Sequence, residues 1–251
     1  MSKLVSSLKN GVATLRFNDP KKLNAWSVPM MLAVRAEMER TAADDAVRAT
    51  ILTGTGRFYS AGVDLASIVR PGWPRVVLAE LSQKNQALFD MFLDYPKPLF
   101  VAANGPAVGA TVTSATLCER IYCAPEATFS TPFVRLGLVP EGCSSVWFER
   151  TMGPEVAHRL LKDGATLSAA EALEAGMVEQ VVPSEGLLDA TQAAAEAWVA
   201  SGRDRRIDEL GAREELKEVN ARESDALAQA RVVCCLPIKD RVGRIPVSRM
   251  D

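Results

Sequence analysis

The side chain best able to do chemistry in this sequence is the carboxylate of Glu141, set in Leu136-Gly-Leu-Val-Pro-Glu-Gly-Cys-Ser-Ser145 beside a glycine turn. A carboxylate held in a tight turn can take a proton from carbon and hand it back, provided something stabilises the negative charge left on the substrate. Two glycine turns upstream are candidates for that stabilising role, Phe58-Tyr-Ser-Ala-Gly-Val-Asp-Leu65 and Asn104-Gly-Pro-Ala-Val-Gly-Ala-Thr111. Glycine lets the main chain approach a ligand closely, and the first peptide groups of a helix carry unpaired N–H donors. One donor from each turn, facing a single oxygen, makes an anion-stabilising pair.

The elements that must position these groups are legible in outline. The apolar, β-branched run Ala49 to Thr53 predicts a buried strand leading into the first turn, and Leu99 to Ala103 predicts another leading into the second. The small residues from Thr111 to Leu117 suit a buried helix. Two strands broken by Lys9-Asn-Gly11 predict a hairpin over Lys3 to Phe17, and Ser27 is expected to cap a helix running to about Ala43. Further helices are predicted over Lys84 to Leu93, Ser144 to Thr151, Pro154 to Leu161, Ser168 to Ala175 and Ala190 to Ala200. Short strands are predicted over Ile121 to Cys123, Ala127 to Ser130 and Val178 to Val182. Strands and helices alternate, which predicts an α/β fold.

Taken in order, Ser-Ala-Gly-Val-Asp-Leu, then Asn-Gly-Pro-Ala-Val-Gly-Ala, then Thr131-Pro-Phe-Val-Arg-Leu-Gly-Leu-Val-Pro-Glu-Gly142 resemble the enoyl-CoA hydratase/isomerase (crotonase) superfamily from about residue 3 to about residue 230. The resemblance implies a spiral of ββα units over residues 1–185 and a C-terminal helical region over 186–251. The tail departs from the family pattern from about residue 232, where Pro237, Gly243 and Pro246 interrupt any final helix. The resemblance also places the two oxyanion donors on the N–H groups of Ala61 and Ala110, holding a thioester oxygen. Hydratases of the family carry two glutamates, at the positions occupied here by Thr113 and Phe133, so activation of water is not expected. Glu141 stands where Δ3,Δ2-enoyl-CoA isomerases of the peroxisomal type carry their catalytic glutamate, and these are the nearest resemblance. The implied reaction is a 1,3-proton shift from C2 to C4 of a 3-enoyl thioester, through a dienolate and without addition of water. Burial against Leu138, Val139 or Trp147 would raise the pKa of Glu141 to suit it.

By the same resemblance Lys22, Ala25, Ser60, Gly62, Val63, Asp64, Leu65, Gly109 and Phe133 surround the acyl-CoA, with Lys21 beside Lys22 near the nucleotide. Asp64 reads equally as a cap for a helix beginning near Leu65. Phe89, Phe92 and Phe133 are either acyl-tunnel lining or plain core. Coenzyme A enters as part of the substrate and no separate cofactor is implied. Assembly into a homotrimer or homohexamer is implied, with Ala190 to Ala200 and the segment after Gly142 as candidate contacts; periodicity alone assigns both to the core. Two other readings stay open: an acyl-CoA-binding protein of the same fold without catalysis, and another thioester reaction of the superfamily, such as hydrolysis.

The resemblance implies a role in fatty acid metabolism; composition agrees with a soluble enzyme and does little more. With 251 residues, 48% hydrophobic and 24% charged, the chain has enough apolar sequence for a full core, and its net charge of −2 gives no electrostatic case for nucleic acid or acidic membranes. No apolar run reaches the length of a membrane span, and Met1 to Ser7 lacks the apolar centre of a signal peptide, so a cytoplasmic protein is expected. Cys118, Cys123 and Cys143 lie in apolar or small-residue surroundings and read as reduced core thiols, whereas the adjacent pair Cys234 and Cys235 belongs to the tail. One histidine, His158, leaves no metal-ligand cluster and no serine triad, and Gly54-Thr-Gly56 lacks the rest of a nucleotide fingerprint.

Overall fold

The computed structural model describes residues 2–64 and 74–229. Leu65, the expected helix start after Asp64, and the divergent tail with Cys234 and Cys235 lie outside the described residues. The main sheet has six strands in the order β1 (Leu4–Lys9), β2 (Val12–Phe17), β3 (Ala49–Gly54), β4 (Leu99–Ala103), β6 (Arg120–Cys123) and β9 (Gln180–Val181). Only the β1–β2 pair in this sheet is antiparallel. Its two-residue turn puts Asn10 at φ 53° and Gly11 at φ 79°, the left-handed geometry that a tight hairpin requires. The parallel strands β3 and β4 are buried along their whole length, which explains their continuous rather than alternating apolar pattern. A smaller sheet joins β5 (Ala107–Val108), β7 (Thr128–Ser130) and β8 (Thr166–Ser168). β5 and β8 are too short for their periodicity to be read from sequence.

Helices cover both faces of the main sheet. On one side Trp198 and Ala195 of helix Leu187–Ala200 pack with Phe100, Ile51 and Ala49, so the apolar face expected to meet another subunit is core of this chain. On the other, helix Val28–Ala43 contributes Met30, Val34 and Met38 to the larger core. Ser27 occupies the N-cap position of that helix, but its hydroxyl makes no capping bond. The two helices expected on either side of residue 153 are both present: they run together over Ser144–Leu161 and are separated at Gly153, whose φ of 79° and ψ of 162° are not helical, just before Pro154. Ser168 and Glu171 form a reciprocal capping box at the start of helix Ala169–Glu174. Helix Arg213–Gln229 lies along helix Pro74–Leu93 and reaches helix Ser144–Leu161. Among the described residues, no helix is long and apolar enough to cross a membrane.

Candidate active site

Because β3 and β4 are adjacent and parallel, the two turns leave the same edge of the sheet side by side. Asparagine amides fasten them together. Asn104 accepts from Gly54 N (2.8 Å) and donates to Gly56 O (2.7 Å), while Asn24 donates to Thr55 O (2.9 Å) and Phe58 O (2.8 Å). The segment Ser60 to Asp64 then runs between two partners. Ser60 bridges β5, with Val108 N donating to Ser60 O at 3.1 Å, and Val63 bridges Trp26. Gly62 makes the close approach possible: its φ is +84°, and a Cβ there would sit 2.5 Å from Val108 O.

Hydrogen-bond direction along this segment corrects one assignment. The N–H of Ala61, expected to face a thioester oxygen, donates to Leu23 O at 2.9 Å. Gly62 O accepts from Trp26 N (2.7 Å) and Asp64 N donates to Trp26 O (3.2 Å), so alternation turns the N–H of Val63 the other way. Across the gap, Gly109 (φ 61°, ψ −127°) turns the chain into helix Ala110–Thr116, whose first residue has no intrahelical acceptor for its N–H. Among the described residues, the N–H groups of Val63 and Ala110 have no hydrogen-bond acceptor. They are the open donors of the two turns.

Glu141 follows the short helix Phe133–Leu136, and the loop bearing it is pressed onto helix Ala110–Thr116 through Gly142. Gly142 has φ +66°, and a Cβ there would lie 2.4 Å from the Phe89 ring and 2.7 Å from Thr113 Oγ1. That contact sets the residue next to Glu141 against Thr113, one turn along the helix that starts at Ala110. Thr113 is buried, with its hydroxyl donating to Ala110 O at 3.1 Å, and Phe133 is buried in the core, so neither position offers an acid. Glu141 is half-buried. Among the described residues that carboxyl has no hydrogen bond or ion pair. Desolvation, followed by the charge of Glu223, pushes its pKa up to about 8. A carboxyl so raised can exchange a proton with a weakly acidic carbon near neutrality.

The other expected residues fall around this centre unequally. Ser60 is buried, its hydroxyl donating to Asn24 O at 2.8 Å, so it supports the loop from behind. Lys22 is exposed in the 3-10 turn Pro20–Lys22, next to the Leu23 carbonyl that holds Ala61, with Ala25 just beyond. Asp64 lies at the edge of the described chain, with its N–H on Trp26. Phe89 touches the Glu141 loop through Gly142, whereas Phe92 stacks on Trp26 at 6.1 Å and belongs to the core. His158 sits on the surface, 3.5 Å from Asp163, and Cys118, Cys123 and Cys143 are buried free thiols.

Sequence reasoning missed Glu223. Its carboxylate accepts from Cys143 N at 2.7 Å and from Ser145 N at 2.8 Å, flanking the turn that carries Glu141. A signal was present: Leu216, Val219, Asn220, Glu223 and Leu227 repeat at helical spacing on a single face, so an acidic residue falls on the buried stripe.

Residues 7–229 match the family described as enoyl-CoA hydratase/isomerase. Enoyl-CoA delta isomerase 2 of Homo sapiens is 39% identical over 187 residues, covering 72% of this chain and 46% of that protein. Enoyl-CoA delta isomerase 3, peroxisomal, of Mus musculus is 38% identical over 181 residues, covering 72% and 56%. The chain thus spans about half the length of these curated relatives. Proteins named as a hydratase and a dehalogenase also match. An enoyl-CoA hydratase/isomerase from Pseudoalteromonas atlantica T6c superposes with a TM-score of 0.81 at 30% identity, covering 96% of this chain and 95% of that one. With the two turns, their open main-chain donors and the matched span in agreement, the chain belongs to the enoyl-CoA hydratase/isomerase family.

Proposed function

We propose that this protein moves the double bond of a 3-enoyl-CoA to the 2-position by a 1,3-proton transfer on Glu141. The observations that carry the reading are a carboxyl with a raised pKa on a turn packed against the helix that begins at Ala110, and two main-chain N–H groups that have no acceptor among the described residues, with Thr113 and Phe133 where the resemblance puts the acids of hydratases. The Glu141 carboxylate takes a proton from C2, and the C2–H electron pair moves towards the thioester carbonyl to give a dienolate. That dienolate carries its charge on the thioester oxygen, which Val63 N–H and Ala110 N–H hold. The same proton returns to C4 as the double bond settles between C2 and C3, and the carboxylate is regenerated. Each donor is worth roughly 3 kcal/mol of barrier, on the scale of oxyanion holes dismantled one donor at a time. Lys22, exposed beside the oxyanion loop, is suited to the CoA phosphates, and the protein acts as a trimer or a pair of trimers, which sedimentation velocity tests.

The decisive experiment is isomerisation of 3-enoyl-CoA, together with exchange of C2 protons of a saturated acyl-CoA in D2O, in wild type and Glu141→Gln. Wild type is expected to do both. Glu141→Gln is expected to bind acyl-CoA and to lose roughly 100- to 10,000-fold in both rates, the usual contribution of a positioned acid/base group. A wild type that binds acyl-CoA but neither isomerises nor exchanges it, across chain lengths, removes the isomerase reading and leaves the binding protein or another thioester reaction. Because only the ionised form of Glu141 accepts the proton, kcat/KM should climb with pH through about 8 and level off above it.

A further inference from the structure

We propose that Glu223, on helix Arg213–Gln229, is a positioning residue for Glu141: its carboxylate grips the main chain on the far side of the catalytic turn and sets the electrostatic environment of the Glu141 carboxyl. The mechanistic part of this inference rests on the isomerase reading; the electrostatic part does not.

Helix Ser144–Leu161 begins without a local cap. Its N-cap residue is Cys143, whose left-handed φ of 67° is not the extended geometry from which a cap side chain reaches the free N–H groups, and it makes no side-chain capping bond. A carboxylate 80 residues away takes that place. Glu223 accepts from Cys143 N at 2.7 Å and from Ser145 N at 2.8 Å, one residue on either side of Ser144. Glu141 and Gly142 immediately precede this clamp, so the position of the Glu141 backbone is set by a distant helix.

That helix is itself pinned by polar contacts along helix Pro74–Leu93. Asn220 donates to Gln86 O (3.0 Å) and to Asp90 (2.9 Å), Asn85 donates to Ser224 (3.0 Å), and Ser82 donates to Asp225 (3.0 Å). Cys143 Sγ donates in turn to Leu216 O at 3.2 Å. The seam therefore links helix Pro74–Leu93, helix Arg213–Gln229 and the Glu141 turn into one unit. Phe89 closes it by packing against Gly142.

A remote carboxylate differs from a serine cap in its charge. Among the described residues, the ionisable groups facing this region are Cys143 on the turn, Asp90 on helix Pro74–Leu93, and Glu223 with Arg222 on the C-terminal helix; helix Ala110–Thr116 has no titratable residue. Glu223 is buried and its own pKa is raised by desolvation, against the opposing effect of the bonds from Ser145 and Cys143. Its charge is the second cause, after desolvation, of the high pKa of Glu141. Two carboxyls that feel each other's charge in a poorly hydrated setting resist ionising together. A neutral group in its place would remove that charge and leave Glu141 more acidic.

The experiment uses the full chain with 13C-labelled glutamate carboxyls, the Glu141 signal being identified by its loss in Glu141→Gln. Glu223→Gln keeps the side chain's size and one acceptor but removes the charge. It is expected to move the Glu141 titration midpoint to lower pH by about half a pH unit or more. The rising limb of kcat/KM should move with it, and KM should change less than kcat. Glu223→Asp restores the charge on a shorter arm; it should return the midpoint towards the wild-type value while leaving kcat at least about threefold low. A Glu141 midpoint unmoved in folded Glu223→Gln reduces Glu223 to a structural cap and overturns the proposal. Should Glu223→Gln not fold, a Glu223→Asp protein with wild-type kcat overturns the positioning role. If wild type proves inactive, the carboxyl titration still decides the electrostatic claim, so failure of that claim and failure of the isomerase reading are separable.

Discussion

Ala110 supplies the sharpest residue-scale test because the group of interest is an N–H rather than a side chain. Proline is well tolerated at the first position of a helix, where its missing N–H would have no intrahelical partner. Ala110→Pro is therefore expected to leave folding near normal while lowering kcat roughly 100- to 1,000-fold, the effect of removing one oxyanion donor. A proline enzyme with wild-type turnover would remove Ala110 from the proposed chemistry. Gly142 is the opposite case. Its +66° φ and the Phe89 ring 2.4 Å from a would-be Cβ mean that Gly142→Ala should destabilise the fold by about 1–3 kcal/mol, measured by urea unfolding, and should displace Glu141. Glu141 was legible in the sequence as an acid beside a turn, and its neighbours Thr113 and Phe133 were legible as non-acids. The choice between Ala61 and Val63 was not. Which of two nearby amides is already bonded depends on the path of Leu23 and Trp26, a separate stretch of chain far earlier in the sequence.

At the scale of elements, the C-terminal helices are held to the core by a buried ion pair. Arg205 donates to Glu119 at 2.8 Å, to the carbonyls of Phe92 (2.7 Å) and Tyr95 (2.9 Å), and to that of Leu117 (3.0 Å). Both side chains are essentially inaccessible, at 2% and 0% exposure, so deleting one partner strands the other charge without water. Arg205→Ala should cost about 3–5 kcal/mol, and the double replacement Arg205→Met with Glu119→Leu considerably less, as seen in equilibrium unfolding. Long elements such as β3, β4 and helix Val28–Ala43 were legible because their apolar runs exceed the length of the competing turn signals. The helix over Lys84 to Leu93 in fact begins at Pro74, and β5, β8 and helix Phe133–Leu136 escaped notice. Those short pieces are stabilised by partners such as the β7 ladder and the Gly137 turn rather than by their own pattern.

For the whole molecule, the raised pKa of Glu141 couples catalysis to stability. Between the unfolded carboxyl value of 4.5 and about 8, the folded state holds a proton on Glu141 that the unfolded chain has released. Stability from this group is therefore lost as pH rises through that window. Thermal melts should show wild type losing Tm from about pH 5 to about pH 8 more steeply than Glu141→Gln, with the variant the more stable protein at the upper end. Equal slopes would place the Glu141 carboxyl in water. The α/β class and the order of the turns could be read along the chain because the strands that carry them are long and continuous. The seam built around Glu223, Cys143 and Asn220 could not, since it joins residues up to 143 positions apart.

The open donors of Val63 and Ala110 belong to the peptide backbone, and this has a consequence for variation. A drifting gene can rewrite either side chain without touching the N–H proposed to bind the oxygen, so half of the proposed machinery is inherited with the path of the chain and is blind to the genetic alphabet, proline excepted. The acid is encoded by a single codon at position 141. On the proposed mechanism, a change of reaction on this scaffold needs only that carboxylates move around a fixed oxygen-binding notch, and a survey of such proteins should then sort by where their acids stand rather than by what surrounds the notch.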